Sequence, residues 1–227
     1  VPDSISVSES TDSFTVEVRL NSSISTGRQP LTNFSSELED AAGNSATGAA
    51  VTASDRAPPQ PTAIYSRDKD FNGRLDTVEL VASEQLESTA SLGGVFQASA
   101  DGAPVNIEGS SLDGNQVRLE LGEDSVWTGA VNVEYSPGGL SPIEDREGNE
   151  MDAFSRESLD RAPPVLLGAI INTSESSVSK TVIDLVFSEE TEAAGTGPSA
   201  TADGETATVT ASDGRVKAEV DGSLELE

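Results

Sequence analysis

The sequence predicts an all-β chain built from tandem β-sandwich modules. Three observations lead there. Apolar and polar residues alternate over short runs, turn dipeptides separate those runs, and a unit of about 105 residues recurs along the chain. Alternation with a period of two places every second side chain on one face of a sheet, as a half-buried strand requires. Asp-Gly pairs between such runs supply the backbone conformations that tight turns need.

In chain order, the first clear strand is "FTVEVRL", with Phe14, Val16, Val18 and Leu20 on one face. "TAIYS" and "TVELVAS" follow on either side of an acidic loop, and both read as strands. "QVRLEL" puts Val117, Leu119 and Leu121 inward, and "VNVEY" does the same with Val131, Val133 and Tyr135. Further on, "VIDLVFS" and "VKAEV" (Val216, Ala218, Val220) repeat the pattern. "DG" at 101–102, 113–114, 203–204 and 213–214 and "PGG" at 137–139 mark the turns. Trp127 and Tyr135 read as core or sheet aromatics rather than a ligand platform. No segment carries a helical stripe with caps. Short strands with frequent turns over about 100 residues suggest a two-sheet sandwich of immunoglobulin-like size.

Repetition sets the organisation. "DRAPP" at 55–59 returns unchanged at 160–164, and "DAAGN" at 40–44 returns as "DREGN" at 145–149, both at an offset of 105. "TVELVASEQ" from Thr77 aligns with "VIDLVFSEE" from Val182 at the same offset. Residues 57–161 therefore read as one whole module, 1–56 as the C-terminal half of another and 162–227 as the N-terminal half of a third. The halves belong to a window on a longer array, or else complement each other within or between chains. "DRAPP" falls at the joins, where Ala-Pro-Pro makes a short semi-rigid connector.

Composition excludes several functions. With 13 Lys+Arg against 40 Asp+Glu the net charge is −27, which repels nucleic acid and anionic membrane surfaces. Three Lys against ten Arg in an acid-rich, aromatic-poor chain fits a halophile, in which molar salt screens self-repulsion. The same balance also fits an acidic, partly disordered secreted protein. Lack of Cys and His removes disulfides, thiol chemistry, the usual zinc ligand and the commonest general base. No run approaches the roughly 18 apolar residues of a membrane span. The start "VPDSISVSES" lacks the regions of a signal peptide, so the chain reads as a mature or excised piece. Acid pairs such as Glu189 and Glu190, or Asp145 and Glu147, imitate a glycosidase pair, but among 40 acids a solvated face is the plainer expectation.

One stretch points to specific chemistry. In "SRDKDFNGRLDTVEL" Asp68, Asp70 and Asn72 stand at loop positions one, three and five, Gly73 at six, Asp76 at nine and Glu79 at twelve. That satisfies D-x-D/N-x-D/N-G-x5-E, the pattern of a calcium loop. Ca2+ takes six to eight oxygens at roughly 2.3 to 2.6 Å, and alternate side chains on a curled backbone converge on one point. Gly73 permits the sharp turn. Arg74 would offer its carbonyl, Asp76 would bind directly or through water, and Glu79 would close the site. Strand-like flanks argue against a helix–loop–helix sensor, and they make Glu79 the least secure ligand, since it also reads as the polar face of a strand. At the 105-residue offset the loop becomes Thr173, Glu175, Ser177, Val178 and Thr181, so the following strand persists without the acidic set. The plain alternative is an acidic turn, because Asp, Asn and Gly are good turn formers.

"DxDxNGxxD" leading into "VELVASE", "D..GN" near the end of a unit, and "DRAPP" at the join resemble the repeating immunoglobulin-like modules of bacterial and haloarchaeal surface proteins. The resemblance covers all three segments. It implies an extracellular, non-enzymatic role in a surface layer, stalk or filament, with neighbouring copies or other surface proteins as partners. Asn21, Asn33 and Asn172 head glycosylation sequons, which suit such a location. Two alternatives remain open: an adhesive or ligand-binding module, and an accessory domain of a secreted hydrolase.

Overall fold

The computed structural model describes the chain apart from residues 1, 11–12, 21–30, 33–38, 40–41, 46, 49, 88–91, 93, 123–128, 139–141, 178–179, 192–198, 203–204, 213–214 and 222–227. Among the described residues there is strand and turn but no helix. Trp127, Asn21, Asn33 and Val178 lie outside them, as do the turns at 203–204 and 213–214.

The N-terminal residues form two small antiparallel sheets. One pairs β1 (Pro2–Ser10) with β2 (Ser13–Leu20), and the other pairs β3 (Leu31–Thr32) with β4 (Val51–Thr52). Val18, expected on a buried face, is 41% exposed, because β1 and β2 form a two-stranded ribbon rather than part of a larger sheet.

The central residues supply β5 (Pro61–Arg67), β6 (Thr77–Ala82), β7 (Leu86–Glu87), β8 (Phe96–Ala100), β9 (Ala103–Val105) and β10 (Ile107–Asp113). They continue with β11 (Gln116–Leu121), β12 (Asn132–Tyr135), β13 (Glu144–Asp145), β14 (Phe154–Glu157) and β15 (Leu159–Asp160). One sheet has the order β10-β11-β6-β5-β15 and another β14-β12-β8-β9, while β13 pairs with β7. All pairs are antiparallel except β15 on β5. Both larger sheets contribute to a single core, with Val78, Leu80, Val117 and Leu119 from the first and Phe96, Ala98, Val133 and Tyr135 from the second. Each of the buried Val, Leu and Phe side chains among them stabilises the sandwich by about 1.5–3 kcal/mol. The chain changes sheet at Asn106, between β9 and β10, and the Gly122 N–H closes that corner on the Asn106 carbonyl at 2.9 Å. At the 101–102 turn both residues have positive φ (Asp101 49°, Gly102 78°), as an Asp-Gly hairpin turn requires.

The last five strands form one sheet in the order β16-β17-β20-β19-β18. They are β16 (Leu166–Ile171), β17 (Lys180–Phe187), β18 (Ser199–Ala202), β19 (Glu205–Ser212) and β20 (Arg215–Asp221). The β5–β6 pairing sets Ile64 against Leu80 and Ser66 against Val78. The β16–β17 pairing sets Ala169 against Leu185 and Ile171 against Ile183, the same register 105 positions on. Even the irregularity at the start of the pair recurs, at Pro61/Ala63 and at Leu166/Gly168. Likewise the isolated bridge Glu144–Glu150 is matched by Glu39–Ser45.

Candidate metal loop and module joints

The acidic loop connects β5 to β6. Its neck is closed by the Asp76 N–H on the Arg67 carbonyl at 2.9 Å, and Leu75 is buried at 3% exposure. Positive φ at Phe71 (59°) and Gly73 (83°) curls the backbone between. Asp68 is itself 5% exposed, and its two oxygens accept the Gly73 N–H at 2.8 Å and the Asn72 N–H at 3.3 Å. Asp70 accepts the Asn72 N–H at 3.1 Å and the Asn72 side-chain amide at 2.9 Å. Asn72 Oδ1 accepts the Arg74 N–H at 2.8 Å. Asp76 Oδ2 accepts the N–H groups of Lys69 and Asp70. One oxygen each from Asp68, Asp70 and Asp76 lies within 4.8 Å of the other two. The spacing thus brings three carboxylates to one point, with Asn72 and the Arg74 backbone on the same turn.

Glu79 is placed elsewhere. It lies on the outer face of β6, where Arg67 Nε stands 2.6 Å away, Arg118 3.7 Å and Lys69 3.8 Å. Strand geometry explains this: Arg118 is its cross-strand partner in β11. Asn172, the sequon residue within the described set, is half-buried and donates its side-chain amide to Asp184 at 2.9 Å.

The two "DRAPP" segments, the expected joints, are bonded in the same way. Asp55 Oδ1 accepts the Ala57 N–H at 3.0 Å, and Asp160 Oδ1 accepts the Ala162 N–H at 2.9 Å. After the prolines, the Ser83 N–H donates to the Gln60 carbonyl while the Ser83 hydroxyl accepts the Gln60 N–H. Ser188 and Val165 repeat both bonds. Each "DRAPP" is therefore turned by its own Asp and clamped to the first strand pair downstream of it. The second joint is also held from behind. The Arg161 N–H donates to the Ser66 carbonyl at 3.0 Å, and its guanidinium lies 3.8 Å from the centroid of the Tyr65 ring.

Acidic groups gather at both joints, which sequence reasoning missed. Asp145, expected on a solvated face, is 2% exposed, because it anchors the "DREGN" turn by accepting the N–H groups of Glu147 and Asn149 and the Asn149 amide. Oxygens of Asp55, Asp145 and Glu147 lie within 4.8 Å of one another. The recurrence of "D..GN" was the available signal. At the second joint the Glu189 carboxyl is pushed above the usual range, first by burial, then by the charges of Asp160 and Asp68.

No protein family matches the sequence, and no curated protein is similar to it. Among solved structures, the N-terminal part of the bacterial S-layer protein SbsC is similar over 70% of this chain and 37% of that one, at 14% identity and a TM-score of 0.40. SbsC domains 1–6 align over 57% of this chain and 18% of that one, at 14% identity and 0.38. A longer SbsC chain, residues 31–844, aligns over 58% and 24%, at 9% identity and 0.37. The chain thus spans well under half of the SbsC chains it matches. Superpositions this loose establish neither a common module nor a common role.

Proposed function

We propose that the chain is a length of a non-enzymatic, load-bearing rod of β-sandwich modules, exposed at a cell surface or secreted by an organism of saline habitat. The reading rests above all on the joints. Two connectors of identical sequence make the same capping bond and the same reciprocal clamp, 105 residues apart. Matched register in β5–β6 and β16–β17 supports a half, whole and half module in this window. Repeated connectors mount each downstream strand pair in the same way, as a rod of repeated units requires. Neighbouring copies or other surface proteins would then be its partners.

Within that rod, loop 68–76 is a calcium staple. Three carboxylates held within 4.8 Å of one another repel, and a divalent cation between them converts that repulsion into attraction. Asp68, Asp70, Asn72, Asp76 and the Arg74 carbonyl are the ligands. Glu79 is left to its basic neighbours, so water completes the shell.

Two measurements test the two halves of the proposal. Small-angle scattering should give a radius of gyration well above the about 17 Å of a compact chain of this length. A compact value removes the rod. Calorimetry in molar KCl should give one calcium site, lost in Asp68→Ala/Asp70→Ala. Calcium at a hundredfold excess over Kd should add about 2.7 kcal/mol to stability. Absence of heat in the unaltered chain reduces the loop to an acidic turn.

A further inference from the structure

Gly73 sits where the loop meets the next segment. A Cβ built there would lie 2.9 Å from the Ser188 Cβ and 3.0 Å from Leu167 Cδ2. Ser188 follows β17 and Leu167 is in β16, so the acidic loop of the central sandwich is packed against the first strand pair of the following sheet. Ser188 is also the clamp residue of the connector, accepting the Val165 N–H at 2.9 Å. Loop, connector and sheet therefore meet at one residue. Behind the connector, Arg161 is bonded to Ser66 and stacked on Tyr65, both in β5. Between Arg161 and Val165 lie only Ala162, which is 8% exposed, and two prolines.

We infer that loop 68–76 is a bearing surface between modules: it holds the β16–β20 sheet at a fixed angle to the central sandwich, and Gly73 is the contact that lets the two surfaces close. A connector bonded at both ends leaves few free rotations, and contact at a third point removes the remaining swing. Glycine is required at this contact for two separate reasons. Its φ of 83° disfavours any side chain, and Ser188 leaves no room for one. This role stands apart from cation binding, because it depends on shape at Gly73 and not on the carboxylates.

The chain has no cysteine, so a pair of spin labels can be introduced cleanly. Gln97→Cys in β8 and Thr208→Cys in β19 place them at exposed positions on the two bodies. Distances are then recorded on the full chain in molar KCl, with calcium and with chelator. A single narrow peak is expected, and Gly73→Ala should abolish it. Gly148→Ala is the control for backbone strain, because Gly148 has the same φ of 83° and its nearest Cβ neighbour is Glu144 Oε2 at 4.0 Å. That variant should keep the narrow peak. Leu167 is 57% exposed, so Leu167→Ala should broaden the peak without altering the melt, which covers the case in which Gly73→Ala fails to fold. The inference is overturned by a broad distribution in the unaltered chain under both conditions. It is equally overturned if Leu167→Ala and Gly73→Ala leave the peak narrow, or if Gly148→Ala broadens it as much as Gly73→Ala.

Discussion

Tyr135 is fully buried, and its ring lies 5.1 Å from that of Phe96 and 5.6 Å from that of Phe154. Its hydroxyl ends in the core, where it accepts the Ile143 N–H at 2.8 Å. Burial pushes its pKa up, with the charges of Glu150 and Glu144 adding and the Ile143 bond opposing, so the phenol stays neutral. Tyr135→Phe keeps the packing but leaves a buried N–H unpaired, which costs about 1–3 kcal/mol. Denaturant unfolding should show that loss, and an unchanged midpoint would mean that Ile143 finds another acceptor. Tyr135 itself was legible, since it closes the period-two run of Val131 and Val133. Ile143 was not, because the segment between them carries no period. The acidic loop shows the same division. Its carboxylates were legible because they lie within nine residues of each other on one turn. Glu79 was ambiguous, because the charges that claim it come from β5 and β11.

Elements were legible where one face alone is buried. β11 alternates exposed and buried without interruption, so the sequence "QVRLEL" carries its own assignment. β6 buries Thr77 together with Val78, and no alternation survives at its start. The two-residue strands β7, β13 and β15 owe their pairing to distant chain, as does the change of sheet at Asn106. The joint between the central sandwich and β16 is likewise invisible locally, since Gly73 and Ser188 are far apart in sequence. It nevertheless carries one group whose titration folding shifts. Glu189 Oε1 is buried without a hydrogen-bond partner, and burial first, then the charges of Asp160 and Asp68, push its carboxyl above the usual range. A raised acid binds its proton more tightly in the folded state. Its stabilising contribution is complete below pH 4.5 and is lost as pH rises through the folded value. With chelator present, Glu189→Gln should therefore raise the melting temperature at pH 7. The gain should shrink to nothing on acidification below 4.5. A gain that is constant with pH would place the effect in packing rather than charge.

The whole molecule carries a net charge of −27 on 227 residues. Expansion relieves that repulsion, so the compact state is opposed at low salt. The Debye length falls to about 10 Å at 0.1 M and about 3 Å at 1 M, short enough to isolate most surface carboxylates from one another. The melting temperature should rise steeply as KCl increases to about 1 M and then flatten. A rise from salting-out would instead continue in proportion to salt, and sucrose would reproduce it without ions. The shape of the curve thus separates the two causes. Calcium sharpens the distinction, because the acids at the two joints and in the loop are a local share of the same repulsion. If the loop holds a cation, a fixed calcium concentration should stabilise more at low KCl than at molar KCl, because screening raises the Kd and lowers the saturation reached. Equal calcium effects at both salt levels would mean that the loop binds by geometry alone, independent of the charge around it. A melt insensitive to KCl would remove the halophilic reading of the composition and leave an acidic secreted rod.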